Sequence, residues 1–341
     1  MRLQHARQFS RRRFLEGVTL AGTTGLLGLH SRLGAAEPPP ETTRLRIADL
    51  ARGICIAPQY VAEELLRGEG FVDLQYLRKP TFDERLRAIA TGEAEMLITF
   101  VSTLIKRVDA GDPIVMVAGS HVGCFELFGT ERVRAIRDLG GKTVAIAELG
   151  APEYLFLSVI LLQVGLDPRR DVQWVTHPAA EAMELLAAGK IDALLSFPPV
   201  PQELRARRIG HVLLNSATDR PWSQYFCCIV AANRDFVHKH PVATKRAVRA
   251  FLKSADICAL APEQTARLLV GKGYAERYDY AFQALKDLPY TGWREYSAED
   301  TVRFYALRLH EAGLVKSSPQ KLIAQGTNWR VLNELKKELK G

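Results

Sequence analysis

Residues 120–154 read SHVGCFELFGTERVRAIRDLGGKTVAIAELGAPEY, and the last part of this stretch decides the predicted fold. It contains a short apolar strand at residues 143–147, a break at Gly150 and a helix that begins at Pro152. A strand that ends at a glycine and leads into a helix with proline in its first turn presents backbone N–H groups to a ligand. We therefore expect the chain to pass here from one lobe into another, with a ligand between the two.

The first 36 residues have the features of an export signal. A twin-arginine motif, SRRRFL at residues 10–15, precedes an uncharged run at 17–29 and the small residues GAA at 34–36. A basic N-terminal region, an apolar central region and a cleavage site of small residues are typical of a signal peptide. The apolar run is shorter than the roughly 20 residues that span a bilayer. We expect export by the twin-arginine translocase, cleavage near Ala36 and a periplasmic mature chain. Retention of the segment as a membrane anchor is the alternative.

The positive charge of the chain lies largely in this segment. The 341 residues carry a formal net charge of +8, of which six arginines and one glutamate in residues 1–36 supply +5. The remaining +3 is weak evidence for binding nucleic acid, and we expect none. With 47% hydrophobic residues, the chain is long enough for two domains with cores of their own.

The five cysteines show no spacing typical of a metal site. They are Cys55, Cys124, Cys227, Cys228 and Cys258. No CxxC or Cys/His pattern occurs, so we expect no metal and no cofactor. Buried cysteines that act as small apolar residues are the favoured interpretation, and one long-range disulfide stays open because the predicted compartment is oxidising.

Strands alternate with helices twice along the chain, which predicts an α/β fold with sheets covered on both faces. The first set of strands is expected at residues 45–50, 73–77, 96–100 and 114–118, and the second at 143–147, 172–176, 193–197 and 212–215. A fully apolar strand at 226–232 would return the chain to the first lobe, and the residues after it are almost wholly helical. We thus expect lobe I at 37–122 and 226–341, and lobe II at 123–225.

Four short strings occur in an order that resembles a known family. They are IRDLGGKTVA at 136–145, VGLD at 164–167, AAGKIDA at 187–193 and ANRDF at 232–236. Over residues 45–262 the chain resembles periplasmic solute-binding proteins of ABC importers, in the family that binds nitrate, sulfonates, taurine and thiamine-pyrimidine precursors. The resemblance implies the two-lobed type II periplasmic-binding fold, with a mixed, mostly parallel sheet in each lobe and two hinge crossings. It also implies a monomer that takes a small-molecule ligand to an ABC permease in the inner membrane.

The resemblance places the ligand-binding residues at the ends of strands and in the crossings. They are Arg52, Gly53, Ile54, Phe100, Ser102, Thr103, His121, Cys124, Gly150, Ala151, Pro152, Phe197, Pro198, Tyr225 and Phe226. Pro152 has no N–H and Glu153 is acidic, so this helix start is poorly suited to a sulfonate or nitrate. The aromatic residues favour a small organic ligand that is aromatic or heterocyclic, and an anionic group on it stays open.

Several of these residues have a structural interpretation beside the functional one. Arg52 would clamp a carboxylate or remain a solvated loop charge. His121 would bind the ligand or donate to a backbone carbonyl. Ser102 and Thr103 would bind the ligand or cap a helix.

Two further functions stay open. The first is an enzyme on the same fold, since relatives include a thiamine-pyrimidine synthase and a dehydratase of menaquinone synthesis. No GxSxG, HExxH or Walker pattern is present, and we expect no catalytic residues. The second is a periplasmic sensor, which the sequence does not separate from an import subunit.

Overall fold

The computed structural model describes residues 37–49 and 53–339. The predicted export signal and Arg52 lie outside these residues. The described strands are β1 (Arg44–Asp49), β2 (Asp73–Arg78), β3 (Met96–Phe100), β4 (Ile114–Val122), β5 (Glu126–Gly129), β6 (Thr143–Ile146), β7 (Gln173–Thr176), β8 (Ala193–Ser196), β9 (His211–Asn215) and β10 (Phe226–Asn233).

Fourteen α-helices occur in the same ranges. They are α1 (Ala57–Val61), α2 (Glu63–Gly68), α3 (Phe82–Ala90), α4 (Val101–Asp109), α5 (Pro152–Gln163), α6 (Ala179–Ala187), α7 (Val200–Arg207), α8 (Arg234–Lys239), α9 (Pro241–Leu260), α10 (Pro262–Gly271), α11 (Tyr278–Asp287), α12 (Ala298–Glu311), α13 (Pro319–Gly326) and α14 (Arg330–Glu338). Short 3₁₀ helices lie at Ile54–Ile56, Ile136–Leu139, Trp222–Gln224 and Tyr290–Arg294. None of the helices in the described ranges has the length and apolar character needed to span a bilayer.

The strands form two five-stranded sheets of the same design. The first sheet has the order β2-β1-β3-β10-β4, and the second has the order β7-β6-β8-β5-β9. In each sheet one strand, β10 or β5, runs antiparallel to both of its neighbours, while β1 and β6 pair in parallel with theirs. Two mixed, mostly parallel sheets flanked by helices confirm the predicted fold class.

The chain crosses between the sheets twice, from β4 to β5 and from β9 to β10. The two crossings are hydrogen-bonded to each other, because the Ser216 hydroxyl accepts the N–H groups of Cys124 at 3.0 Å and Phe125 at 2.8 Å. Gly123 has a φ of +54°, and a Cβ on it would lie 2.3 Å from the Ala217 Cα. The first crossing therefore needs glycine both for its backbone conformation and for its close approach to the second.

The junction that decided the predicted fold has the expected form. β6 ends at Ile146, Gly150 adopts a φ of +87°, and α5 begins at Pro152 with Ala151 as its N-cap. The proline sits where its missing N–H costs no intrahelical hydrogen bond. The prediction of a helix that begins at Pro152 is confirmed.

Some predicted boundaries were wrong. β4 extends to Val122 instead of ending at 118. Ser102 lies inside α4, whose N-cap is Phe100. The strand β5 and the helix α7 were not predicted, since a four-residue strand buried throughout has no alternating pattern and α7 follows two prolines.

Candidate ligand-binding site

Aromatic rings join the two sheets where the carboxyl ends of their parallel strands meet. Phe100 is the last residue of β3, Phe197 follows β8, and their ring centroids are 5.2 Å apart. Phe125 of the first crossing stacks on Phe100 at 4.9 Å, and Phe82 of α3 meets Phe197 at 6.1 Å. Ligands of open α/β sheets bind at this end of the strands. The structure thus brings together two predicted ligand-binding residues, Phe100 and Phe197, from the two sheets.

A cavity of about 290 Å³ is lined by one of these rings, Phe82, and not by Phe100, Phe125 or Phe197. Thr103 and Lys106 of α4 line one side, and Glu148 and Gly150 of the loop after β6 line the other. A Cβ on Gly150 would lie 3.2 Å from the Lys106 Nζ, so the loop passes close to this amine. The Thr103 hydroxyl donates to the Phe100 carbonyl at 2.7 Å and therefore supports the helix start.

The loop and helix start contribute acidic groups. Glu153 is buried, and its Oε2 has no hydrogen-bond partner within the described ranges. Burial, with a smaller contribution from the charge of Glu148, raises the pKa of Glu153 to about 7. Burial and the charges of Asp83 and Glu84 also raise the pKa of Glu148. A carboxyl group that is half protonated near neutral pH can donate or accept a hydrogen bond, and an anion beside Glu148, which lines the cavity, would meet repulsion.

Two buried polar groups that the sequence analysis did not single out lie near the end of β1. Asp49 accepts from the Tyr60 hydroxyl at 2.6 Å, and its Oδ2 lacks a partner in the described part of the chain. Arg85 of α3 donates to the Ile98 carbonyl at 3.1 Å, and its Nε likewise lacks a described partner. Burial lowers the pKa of Arg85. The sequence held one signal that the Arg85 side chain would be buried: position 85 lies on the same helical face as Phe82 and Ile89.

His121 and Cys124, both predicted to bind the ligand, lie in a buried cluster with Cys55 and Cys228. The four ligand-type atoms all lie within 4.8 Å of one another. Beside them Ile54 is buried, and its carbonyl accepts from the Tyr290 hydroxyl at 2.7 Å. This set could hold a soft or borderline metal ion.

Other predicted residues lie in different surroundings. Tyr225 stacks on Phe304 of α12 at 4.0 Å, and the Phe226 ring packs against Gly119 of β4 and meets Tyr296 at 6.1 Å. Both rings therefore contact the first sheet or the C-terminal helices instead of the aromatic group around Phe100. The remaining predicted residues lie at element starts or in turns: Gly53 before the first 3₁₀ helix, Ser102 in α4, Ala151 and Pro152 at the start of α5, and Pro198 in a cis peptide with Pro199.

A larger groove, of about 670 Å³, lies elsewhere on the molecule. It is lined only by residues of the C-terminal part, among them Leu260, Phe282 and Lys286. None of the residues that line it belongs to the second sheet or to the helices and loops attached to that sheet. We therefore place the candidate site at the smaller cavity, which is lined both by helices beside the first sheet and by the loop that follows β6 of the second sheet.

A charged contact also spans the two parts of the molecule. Arg205 of α7 pairs with Glu126 of β5 and with Asp287 of α11, and Gln202 donates to Asp287 at 3.0 Å. α11 packs against the 3₁₀ helix that follows the first strand. Arg205 and Gln202 thus connect the second sheet's helices to elements beside the first sheet.

Comparison of the sequence with known proteins finds a matching family model and a curated relative. Residues 128–270 match the model of the NMT1-like family. The bicarbonate-binding protein CmpA of Synechococcus elongatus is 26% identical over 112 residues, which are 32% of this chain and 24% of that protein. The match thus spans about a quarter of the length of this curated relative.

Solved structures extend the likeness over most of the chain. The periplasmic nitrate-binding protein NrtA of Synechocystis PCC 6803 aligns with a TM-score of 0.75 and 14% identity, covering 89% of this chain and 90% of that one. The aliphatic sulphonate-binding protein SsuA of Escherichia coli gives 0.68 and 19%, covering 82% and 91%. At these identities the structures establish the fold. With the sequence matches, they confirm the resemblance predicted from the four strings.

Proposed function

We propose that this chain, which resembles nitrate- and sulfonate-type substrate-binding proteins, is the extracytoplasmic substrate-binding subunit of an ABC importer. One observation carries the proposal: two sheets of the same design, joined by two crossings, meet with the ends of their parallel strands at Phe100 and Phe197. A molecule held there contacts both sheets, so its binding favours the closed arrangement over an open one. The crossings between β4 and β5 and between β9 and β10 are the hinge.

The ligand is a small organic molecule with an aromatic or heterocyclic ring. Phe82, Phe100, Phe125 and Phe197 offer ring faces and edges at the strand ends. Glu153 and Glu148 make the helix start acidic, and Pro152 removes one N–H donor from it. A polar group that donates a hydrogen bond fits Glu153 better than a sulfonate or nitrate does.

The partners follow from this role. The chain is exported by the twin-arginine translocase into the periplasm and works there as a monomer. It delivers its ligand to a permease in the inner membrane. It acts without a catalytic residue, because its task is to bind and release one molecule.

A thermal-shift screen tests the proposal. The panel contains nitrate, bicarbonate, taurine, alkanesulfonates, aromatic carboxylic acids and pyrimidines. A ligand at about 100 times its Kd stabilises the fold by roughly 2.7 kcal/mol, which a melting curve resolves. We expect aromatic or heterocyclic compounds to raise Tm, and taurine and nitrate to leave it unchanged. A large shift with taurine or nitrate alone would contradict the proposed ligand class, and no shift with any compound would count against the binding role.

A further inference from the structure

Four metal-ligand side chains from four separate segments converge at the hinge. Cys55 lies in the 3₁₀ helix after β1, His121 in β4, Cys124 in the first crossing and Cys228 in β10. β4 and β10 pair antiparallel, and their register sets Cys228 opposite His121. All four residues are at most 3% exposed. The cluster therefore belongs to the interior at the point where both crossings leave the first sheet.

The distances between the four ligand atoms suit one tetrahedrally coordinated metal ion. The three Sγ atoms and one imidazole nitrogen all lie within 4.8 Å of one another. Around a tetrahedral ion with metal–sulfur bonds of about 2.3 Å, ligand atoms are roughly 3.8 Å apart. A contraction of about 1 Å or less thus brings the four atoms to bonding distance. Three thiolates and one imidazole complete the coordination shell and leave no open position.

The orientation of His121 provides an independent observation. Its Nδ1 lies 3.0 Å from the Gly123 carbonyl oxygen. A carbonyl only accepts hydrogen bonds, so Nδ1 carries the proton and donates it. Nε2 is then the nitrogen whose lone pair is available to a metal ion, and it has no hydrogen-bond partner in the described part of the chain despite complete burial. Metal-binding histidines are commonly fixed in this way, with the other ring nitrogen donating to a backbone carbonyl.

We propose that Cys55, His121, Cys124 and Cys228 form a structural Zn²⁺ site that fastens both hinge crossings to the 3₁₀ helix after β1. Thiolate and imidazole ligands select Zn²⁺ over Mg²⁺ or Ca²⁺, which prefer oxygen. The complete burial and the full set of four ligands mark a structural ion instead of transported cargo. Binding displaces the thiol protons into solvent and stabilises the folded chain. The proposal does not depend on which organic ligand the cleft takes.

The test uses the untagged full-length chain, kept reduced so that Cys124, whose Sγ lies 2.8 Å from that of Cys227, stays a thiol. The metal-stripped protein is incubated with Zn²⁺ or Co²⁺ and passed over a gel-filtration column. We expect one metal ion retained per chain. We also expect cobalt to show the visible d–d bands of a tetrahedral site and thiolate-to-cobalt charge transfer in the near ultraviolet.

Substitutions of single cysteines identify which residues bind the metal ion. Cys228→Ser should weaken Co²⁺ binding by roughly 100-fold or more, since even outer-shell changes cost about 10–100-fold. Cys258→Ser is the matched control, because Cys258 is equally buried but lies in α9, outside the cluster. Retention of less than one tenth of an equivalent by the wild type, an octahedral cobalt spectrum, or equal binding by the Cys228→Ser variant would each overturn the proposal. If Cys228→Ser does not fold, the wild-type cobalt spectrum alone decides.

Discussion

The Arg205 guanidinium donates to the Asp287 carboxylate and pairs with Glu126 on its other side, so one side chain bridges β5, α7 and α11. Arg205 and Asp287 are each about one third exposed. Because α11 packs beside the 3₁₀ helix that follows β1, this contact links the second sheet, at the residue that follows the first crossing, to elements beside the first sheet. Under the proposed function, we expect opening of the cleft to separate Arg205 from Asp287.

Asp287→Asn removes the charge from this contact and leaves the Arg205–Glu126 pair in place. We expect the free energy of unfolding to fall by about 1 kcal/mol, the upper range for a partly exposed ion pair. The radius of gyration from small-angle X-ray scattering should rise, because the open arrangement gains population. Asp279→Asn, in the same helix, is the control, since Asp279 pairs with nearby Arg277 and both are more than half exposed. Unchanged scattering and stability in the Asp287 variant would refute this role.

Glu153 should make stability depend on pH. Its folded-state pKa of about 7 exceeds the ordinary value of 4.5. Between these values the folded chain binds more protons than the unfolded chain, so stability falls as pH rises and the loss is complete above about pH 7. A shift of this size corresponds to about 3 kcal/mol. Glu153→Gln cannot ionise, and urea unfolding at a series of pH values should show a flatter profile with higher stability than the wild type at alkaline pH.

The control for that experiment is Glu64→Gln, an exposed glutamate in the first turn of α2. It should keep the wild-type pH profile. Parallel profiles for the Glu153→Gln variant and the wild type would mean that the Glu153 carboxyl is ionised without cost in the folded chain.

Gly123 should tolerate no side chain. Gly123→Ala and Gly141→Ala both force alanine into positive φ, at +54° and +71°, which costs about 1–2 kcal/mol. Only at Gly123 does the added Cβ also meet backbone, 2.3 Å from the Ala217 Cα, whereas Gly141 has open space within 4 Å. Overpacking adds about 1–3 kcal/mol, so we expect a loss of about 2–5 kcal/mol for Gly123→Ala in denaturant unfolding. Equal losses for the two variants would show that the crossings can separate freely.

The sequence predicted the parts of the fold that have local signals. Gly150 and Pro152 mark the end of the strand region and the start of α5, and the alternation of strands and helices predicted two sheets. The strand β5 was missed because four buried residues without alternation resemble any apolar segment. α7 was missed because the prolines before it read as a loop.

The candidate site was predictable only where a residue ends a strand or follows it directly. Phe100 ends β3 and Phe197 follows β8, and the structure brings their rings together. Arg85 was not singled out although it shares a helical face with Phe82 and Ile89, and Asp49 was not because nothing next to it in the sequence distinguishes a buried charge from a solvated one. The cluster of Cys55, His121, Cys124 and Cys228 has no motif, since strand pairing between β4 and β10 brings together residues more than one hundred positions apart.

The most direct test of the binding role is calorimetry with the strongest compound from the thermal-shift screen. Phe197→Ala removes a ring at the meeting of the two sheets, and Phe282→Ala removes another partly buried ring, from the larger groove. Burial of an aromatic ring against a ligand contributes about 1.5–3 kcal/mol, so we expect Phe197→Ala to raise Kd about tenfold or more and Phe282→Ala to leave it unchanged. Unchanged affinity in the Phe197 variant, or a loss confined to the Phe282 variant, would contradict a ligand site between the two sheets.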